Sequence, residues 1–558
     1  ASRWNPEEDA DFIAAIKRTA MGDLGTSQPD GVQDILAEIA MQAGLNDGEE
    51  EGLPPVNQAA ALLLVRLGEW REGENLHLKR TSLKLYMPPE AEELANQSVA
   101  FPPEDLVAEH REERRSHAFA IDESREATDV DDAIEIETID GEDWLHVHVA
   151  DPSRWCELGS SLDQLARDRG SSIYLPEFVS PMLPVSMATG AISLFEGRTN
   201  LALTFSAQFD NNGAITNFRV RPAVLHSVHQ MTYDNVDRLL SGDPEVPEVY
   251  TENKESILKL FELTRRRRAY RLACGALEMA VPKTQINVTM PEDGSPAEIL
   301  AEPSKENASE ARRLVAECML AGGEIAARYA KEYKIPFIFR AQVPAPKVPE
   351  LAGLQGEVGD ICRNYRQVLM MKAAVTLPVP SPHHGLGLKM YSQVTSPIRR
   401  YADLVLHHQL KAVIAGKPCP FNSAELTRLM PVLERRGAAI QRLQRSSQRF
   451  WVLEYFRRLP RDAEVPVTVL RTQVYRARGG LPDTYSATVL FDEIGLHYRY
   501  MAPNPNSENE TLNLRPLNCA SKKPRPKSHH SKFWSQTSQH QKICDLRTRP
   551  FSRETVTP

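Results

Sequence analysis

Cysteine is sparse in this sequence: 7 among 558 residues, widely scattered and never spaced C-x-x-C. That spacing excludes a disulfide framework and a zinc knuckle, and a reducing cytoplasm is the expected setting. No apolar run approaches the roughly 18 residues needed to cross a membrane, so no membrane partner is expected. The first ten residues carry Glu7, Glu8 and Asp9 and lack the basic-then-apolar order of a secretory signal. A G-x-x-x-x-G-K-S/T loop is also missing, so nucleotide-driven work is not indicated. What is there is a globular balance of 41% hydrophobic and 25% charged residues, enough chain for three or four domains at roughly 150 residues each.

Charge is unevenly spread. The net value of -9 conceals an acidic start, with 7 Lys+Arg against 15 Asp+Glu from Ala1 to Arg80, and a basic end, with 9 against 2 from Pro516 to Pro558. The end reads either as a solvated appendage or as a nucleic-acid contact.

The hydrophobic spacing divides the chain into an α+β multidomain protein. Phe12, Ile13 and Ile16, then Val32, Ile35, Leu36 and Ile39, then Val56, Ala60, Leu63, Leu64 and Leu67 form three helical stripes. Asn75 to Lys79 reads as β-prone, so residues 1–95 are expected to form a helical, winged-helix-like module and linker. Residues 96–460 read as one large mixed α/β catalytic body. Within it Ile134 and Ile136 alternate with Glu135 and Glu137, Asp140-Gly141 offers a tight turn, and Leu145, Val147 and Val149 return with His146 and His148 between them. Helices are predicted over Ser309 to Lys331 and Ser396 to Ile414. Residues 461–515 suggest a small β-barrel, and 516–558 a basic tail with little core.

Chemistry concentrates at two places. Asp122, Glu123, Asp129, Asp131 and Asp132 lie within eleven residues between two strands. Such crowding raises each neighbour's pKa unless a cation neutralises it. An all-oxygen set suits Mg²⁺, with Mn²⁺ as a substitute; the alternative is a solvated acidic turn. At Thr395-Ser396-Pro397-Ile398-Arg399-Arg400-Tyr401, Ser396 is a suitable N-cap and Pro397 a suitable first helical residue. Two arginines would then oppose the helix dipole in the first turn. Either a phosphate compensates them or Asp403 does. Tyr174 and Tyr233 offer rings that stack on bases or pack half-buried. The paired histidines lack zinc spacing and read as sheet-face and helix-face residues.

Several ordered motifs carry a resemblance: Asp129-Val130-Asp131-Asp132-Ala133, His148-Val149-Ala150-Asp151-Pro152-Ser153, Tyr174-Leu175-Pro176, Pro181-Met182-Leu183-Pro184, and Tyr391 through Leu404. They are similar to those of the ribonuclease II and ribonuclease R (RNB) family of exoribonucleases. The resemblance implies an RNB-type catalytic domain and an OB-type barrel after Pro460. It implies Mg²⁺-dependent, hydrolytic, processive 3′-to-5′ degradation of single-stranded RNA to nucleoside 5′-monophosphates and a short end product, by a monomer working in RNA turnover. Carried over, Asp122, Asp129, Asp131 and Asp132 would hold the metal, Arg399 would contact the scissile phosphate region and Arg400 support it. Tyr174 would stack on or align the terminal nucleotide, with Tyr233 and Met279 along the RNA channel.

The sequence also departs from the family. The family's first two aspartates stand six positions apart, while Asp122 and Asp129 stand seven. Asp122 is the expected first carboxylate, with Glu123 its rival at the family spacing. Met279 replaces a frequent aromatic, Gln444 and Arg445 fall near where some members carry a glutamate, and a helical module stands where members place cold-shock barrels. A competing class is therefore a non-catalytic RNA-binding protein that keeps the fold.

Overall fold

In the computed structural model, residues 10–22, 32–42, 55–71, 74–125, 127, 129–278, 280–291, 297–304, 309–346, 357–460, 465–475 and 484–503 are described. Met279 and the tail 516–558 lie outside them. The first three apolar stripes form α1 (Ala10–Ala20), α2 (Val32–Gln42) and α3 (Pro55–Arg66). They enclose a core of their own, with Ile13, Ile16, Leu36, Leu64 and Trp70 buried.

The expected wing is not formed. Asn75 to Lys79 folds as a helix, α4 (Leu76–Arg80), and among the described residues no strand precedes Glu112. The cause is local: the Asn75 side chain accepts the His77 N–H at 3.1 Å and caps the helix. α5 (Pro89–Ala100) follows, with Pro89 at its first position.

A seven-stranded sheet organises the central body. It consists of β1 (Glu112–Arg114), β2 (Ala118–Asp122), β3 (Asp132–Ile139), β4 (Glu142–Ala150), β7 (Asn200–Phe209), β8 (Ile215–Leu225) and β9 (Val228–Thr232), in the order β1-β8-β7-β4-β3-β2-β9. The β3–β4 hairpin turns on Asp140 and Gly141, whose φ values of 54° and 82° are the left-handed conformations such a turn demands. Between β4 and β7 come α6 (Ser161–Arg169), the two-residue strands β5 (Ile173–Tyr174) and β6 (Val179–Ser180), and α7 (Val185–Ala188). After β9 follow α8 (Tyr233–Ser241), α9 (Glu248–Glu252), α10 (Lys254–Ala273), β10 (Thr284–Thr289), β11 (Glu298–Pro303) and α11 (Glu310–Glu332). Ser309 caps α11 as its sequence predicts. Next come β12 (Phe339–Ala341), α12 (Glu357–Met370), β13 (Val375–Leu377), α13 (Tyr401–Ile414) and the long α14 (Ser423–Arg458).

The sheet and its covering helices share one core containing Phe119, Ile134, Val147, Phe205, Ile325 and Leu404. α11 comes close enough to the chain before Thr395 that a Cβ at Gly323 would collide with the Ser392 carbonyl. Where a small barrel is expected, the described residues form three antiparallel strands in a meander, β14 (Val467–Tyr475), β15 (Thr484–Phe491) and β16 (Leu496–Pro503). The remainder of 461–515 lies outside the described residues. Among the described residues no helix is long and apolar enough to cross a membrane, and the five described cysteines are all free.

Candidate active site

The aspartates gather at one end of the β2–β3 pair because β2 ends on Asp122 and β3 begins on Asp132. The loop between them is pinned at Val130. Its N–H donates to Ser193 Oγ at 3.1 Å and its carbonyl accepts the Leu194 N–H at 3.1 Å, so the buried valine fixes Asp129 and Asp131 on either side.

Asp122 and Glu123 part company here. Asp122 is half-buried, and burial followed by the charges of Asp129 and Glu123 raises its pKa above the usual carboxylate range. Glu123 turns outward into an ion pair with Arg312 of α11. Asp122 is the one of the two whose charge acts on both Asp132 and Tyr233 beside Asp129.

Asp131 is 5% exposed and its pKa is raised to about 7, chiefly by burial, against the opposing charge of Arg399. Asp132 is also raised to about 7, by burial and then by the charge of Asp131. Among the described residues no hydrogen-bond donor reaches the Asp132 carboxylate. Crowded, desolvated carboxylates of this kind fit a hard divalent cation, which removes the repulsion that keeps them protonated. A separate group, Glu135, Glu137 and His146, brings one ligand atom each within 4.8 Å of one another. Arg114 Nη2 already stands 2.7 Å from both of those carboxylates, and His148 reaches Glu135 at 2.9 Å. His146 and His148 lie on the sheet as expected.

Arg399 joins the aspartates from the far side of the sequence. Its Nε donates to Asp131 Oδ2 at 2.9 Å and its Nη2 to Ser396 Oγ at 2.9 Å. The helix expected from Pro397 begins instead at Tyr401, with Arg400 extended at φ -134°. The Arg400 N–H still closes a turn onto the Ser396 carbonyl at 2.9 Å, and further bonds anchor that turn to the surrounding fold. The Ile398 N–H goes to Asp131 Oδ1 at 3.0 Å, the Ser396 N–H to Asp403 Oδ2 at 3.0 Å, and the Arg399 carbonyl accepts the Ser172 N–H at 3.0 Å. Arg400 follows the internal-pair alternative, with Nε and Nη2 on Asp403 Oδ2 at 3.0 and 2.6 Å.

Both tyrosines reach the cluster. Tyr174, 39% exposed, donates its hydroxyl to Asp129 Oδ2 at 2.9 Å. Tyr233 follows Thr232, the register partner of Asp122. Burial, then the charges of Asp132 and Asp122, raises its hydroxyl pKa. Two further residues belong here: Arg312, which the sequence reading did not single out, and Gln444, which it named only as standing near a family glutamate. The Arg312 guanidinium lies over the Tyr233 ring at 4.4 Å, and Gln444 Nε2 donates to the Tyr174 carbonyl at 3.1 Å. Arg312 was open to the argument used for Arg399: a cation in a helix's first turn calls for a partner.

The RNB domain family matches residues 111–416, a span that holds the aspartates, both tyrosines and Arg399. This chain belongs to the RNB family. It is 31% identical over 476 residues to an uncharacterized ribonuclease of Synechocystis, covering 84% of this chain and 67% of that relative. To a chloroplastic/mitochondrial ribonuclease II of Arabidopsis thaliana it is 31% identical over 428 residues, covering 75% of this chain and 51% of that one. The chain thus spans about half to two thirds of these two RNB relatives. Among solved structures, an active-site mutant of the Dss1 exoribonuclease from Candida glabrata has the same fold, with a TM-score of 0.69 at 20% identity, covering 90% of this chain and 64% of that one. Yeast Ssd1, a pseudonuclease, shares the RNB fold with a TM-score of 0.54 at 18% identity, over 71% of this chain and 51% of that one.

Proposed function

We propose that this RNB chain is a metal-dependent hydrolytic exoribonuclease that shortens single-stranded RNA from its 3′ end, processively, to nucleoside 5′-monophosphates and a short end product. The observation that carries the reading is the convergence of Asp122, Asp129, Asp131 and Asp132 with Arg399 and Tyr174, with Asp131 and Asp132 raised to about 7 chiefly by burial. A bound Mg²⁺, or Mn²⁺ in its place, would supply water activation and charge neutralisation at the phosphate. Asp122, Asp129, Asp131 and Asp132 would hold it.

The chain's own residues do the rest. Arg399 spends Nε and Nη2 on Asp131 and Ser396, which leaves Nη1 to meet a phosphate oxygen in a fixed direction. Tyr174 aligns the terminal nucleotide beside Asp129, Tyr233 with Arg312 flanks the channel, and Arg400 braces the Arg399 turn through Asp403. Met279 is assigned to the channel on the family resemblance. We assign the helical module to the RNA entrance and the C-terminal strands to an OB-type RNA-binding surface, in a monomer of a reducing compartment such as the cytoplasm.

The competing reading, an RNA binder that has lost turnover, is disfavoured because the inserted residue leaves Asp122 among the aspartates. RNA labelled at one end or the other decides direction. Collapse of 5′-labelled RNA to a short end product, with release of labelled mononucleotide from 3′-labelled RNA, supports the proposal. Internal fragments would mean an endonuclease.

A further inference from the structure

The hairpin that carries Tyr174 pairs only two residues a side, Ile173 with Ser180 and Tyr174 with Val179. A ladder that short is not stable alone. Its support comes from elsewhere in the chain: β10, whose Val288 N–H donates to the Pro176 carbonyl at 3.0 Å, the Arg399 turn, whose carbonyl accepts the Ser172 N–H at 3.0 Å, the segment after α4, and α14. Ile173 and Leu175, which flank the tyrosine, are buried with Leu85 from the segment after α4 and with Ile440 and Leu443 of α14. Ser180 Oγ donates to the Leu85 carbonyl, and Arg169 donates to the Pro181 carbonyl at 2.7 Å.

A polar constellation closes the same junction next to the hairpin turn. Asn75, 4% exposed, caps α4 with its carbonyl oxygen. Its amide Nδ2 donates to Glu177 Oε1 at 2.6 Å and to Ser447 Oγ at 2.9 Å. Ser447, buried within α14, donates in turn to Glu177 Oε2 at 2.9 Å. One carboxylate three residues beyond Tyr174 thus gathers partners 102 residues earlier and 270 residues later in the chain. Apolar side chains of similar volume would stabilise this junction at least as well, because buried polar groups carry a desolvation cost. A polar set supplies direction instead: each bond fixes where the hairpin stands relative to α4 and α14.

We propose that Asn75, Glu177 and Ser447 are positioning residues for Tyr174. Through them the N-terminal module forms part of the active-site wall and holds the Tyr174 ring against Asp129, besides any role in admitting RNA. The activity arm of the test rests on the exoribonuclease reading, and a second arm does not.

Asn75→Ser keeps a hydroxyl to cap α4 and removes the amide donor, while Ser447→Ala removes the hydroxyl by which α14 holds both Asn75 and Glu177. Each is made in the full chain, alone and with Tyr174→Ala. kcat is measured at saturating 5′-labelled RNA with Mg²⁺, with RNA affinity and melting temperature alongside. Misplacing an aligning group costs on the order of tenfold or more, so Asn75→Ser lowers kcat about tenfold with RNA affinity unchanged. In the Tyr174→Ala background the further drop is less than about twofold, because the two changes act through one group. Ser447→Ala follows the same pattern. An equal drop in both backgrounds, or none in the first, overturns the proposal. Should the parent chain cleave no RNA, the exoribonuclease reading fails and positioning is judged by fluorine NMR of 3-fluorotyrosine-labelled protein. The Tyr174 resonance, assigned with Tyr174→Phe, shifts or broadens in Asn75→Ser, and an unchanged resonance overturns the proposal.

Discussion

Asp131 and Arg399 stand 268 residues apart in the chain and meet at 2.9 Å in the fold. The other oxygen of Asp131 takes the Ile398 N–H at 3.0 Å, so both arms of the carboxylate grip one turn of backbone. Asp131 therefore has a second task besides any cation: it aims Arg399. Asp132, next in sequence, has no such partner among the described residues.

That difference separates two substitutions of similar chemistry. Asp132→Asn lowers kcat by on the order of 10³ with RNA affinity retained. Asp131→Asn loses as much turnover and also weakens RNA binding by about tenfold, because Arg399 is no longer held toward the phosphate. Single-turnover rates and fluorescence anisotropy on labelled RNA distinguish the two, and equal affinities would contradict the assignment.

The raised pKa values make a prediction with a definite sign. Asp131 and Asp132 titrate at about 7 in the fold against an ordinary value of 3.8. Between those values the folded chain binds more protons than the unfolded one, so stability falls as pH rises. Their contribution is complete below about 4 and is lost through pH 7. A divalent cation takes the place of the protons, so about 10 mM Mg²⁺ raises the melting temperature more at pH 8 than at pH 5.5. Thermal melts at both pH values, with and without Mg²⁺, check this. In Asp132→Asn the difference between the two pH values shrinks.

A buried charge cluster outside the site governs stability instead. Asp151 is fully buried between Lys411 Nζ at 2.9 Å and Arg111 Nη2 at 2.7 Å. It ties the end of β4 to α13. Asp151→Ala leaves the buried Lys411 ammonium without its carboxylate, while Arg111 keeps Asp105 at 2.6 Å, and costs about 3–5 kcal/mol, read as a lowered midpoint in urea unfolding. A change below about 1 kcal/mol would mean that Lys411 finds another partner.

What the sequence revealed was what local chemistry decides. The β3–β4 hairpin was legible because Asp140 and Gly141 suit left-handed φ, and the start of α11 because Ser309 caps it with its own hydroxyl. The start of α13 was not, since Ser396 and Pro397 are good local signals, while the backbone at Ile398 and Arg399 is taken by Asp131 and Ser172 from elsewhere in the fold. Asn75 carried a cap signal that β-propensity at Leu76 to Lys79 obscured. The motif residues were visible, but their division of labour was not: that depends on contacts such as Arg312 over Tyr233 and Gln444 on the Tyr174 carbonyl, between residues far apart in the chain.

The choice between Asp122 and Glu123, open in the sequence, becomes a mutational prediction. Asp122→Asn lowers kcat by on the order of 10² or more. Glu123→Gln, which loosens only the ion pair to Arg312, costs less than about tenfold. Steady-state kinetics on a homopolymer checks the order, and the reverse order would place Glu123 in the metal set.

The most direct test of the whole account uses a 5′-labelled single-stranded RNA of about 30 nucleotides beside a hairpin with a 3′ overhang, incubated with Mg²⁺ and the wild-type chain or Asp132→Asn. The account predicts collapse of the label to a product of a few nucleotides, abolished by the substitution and by chelation of the metal. Full-length RNA retained on the wild-type protein without cleavage would contradict it and leave an RNA-binding member of the RNB family.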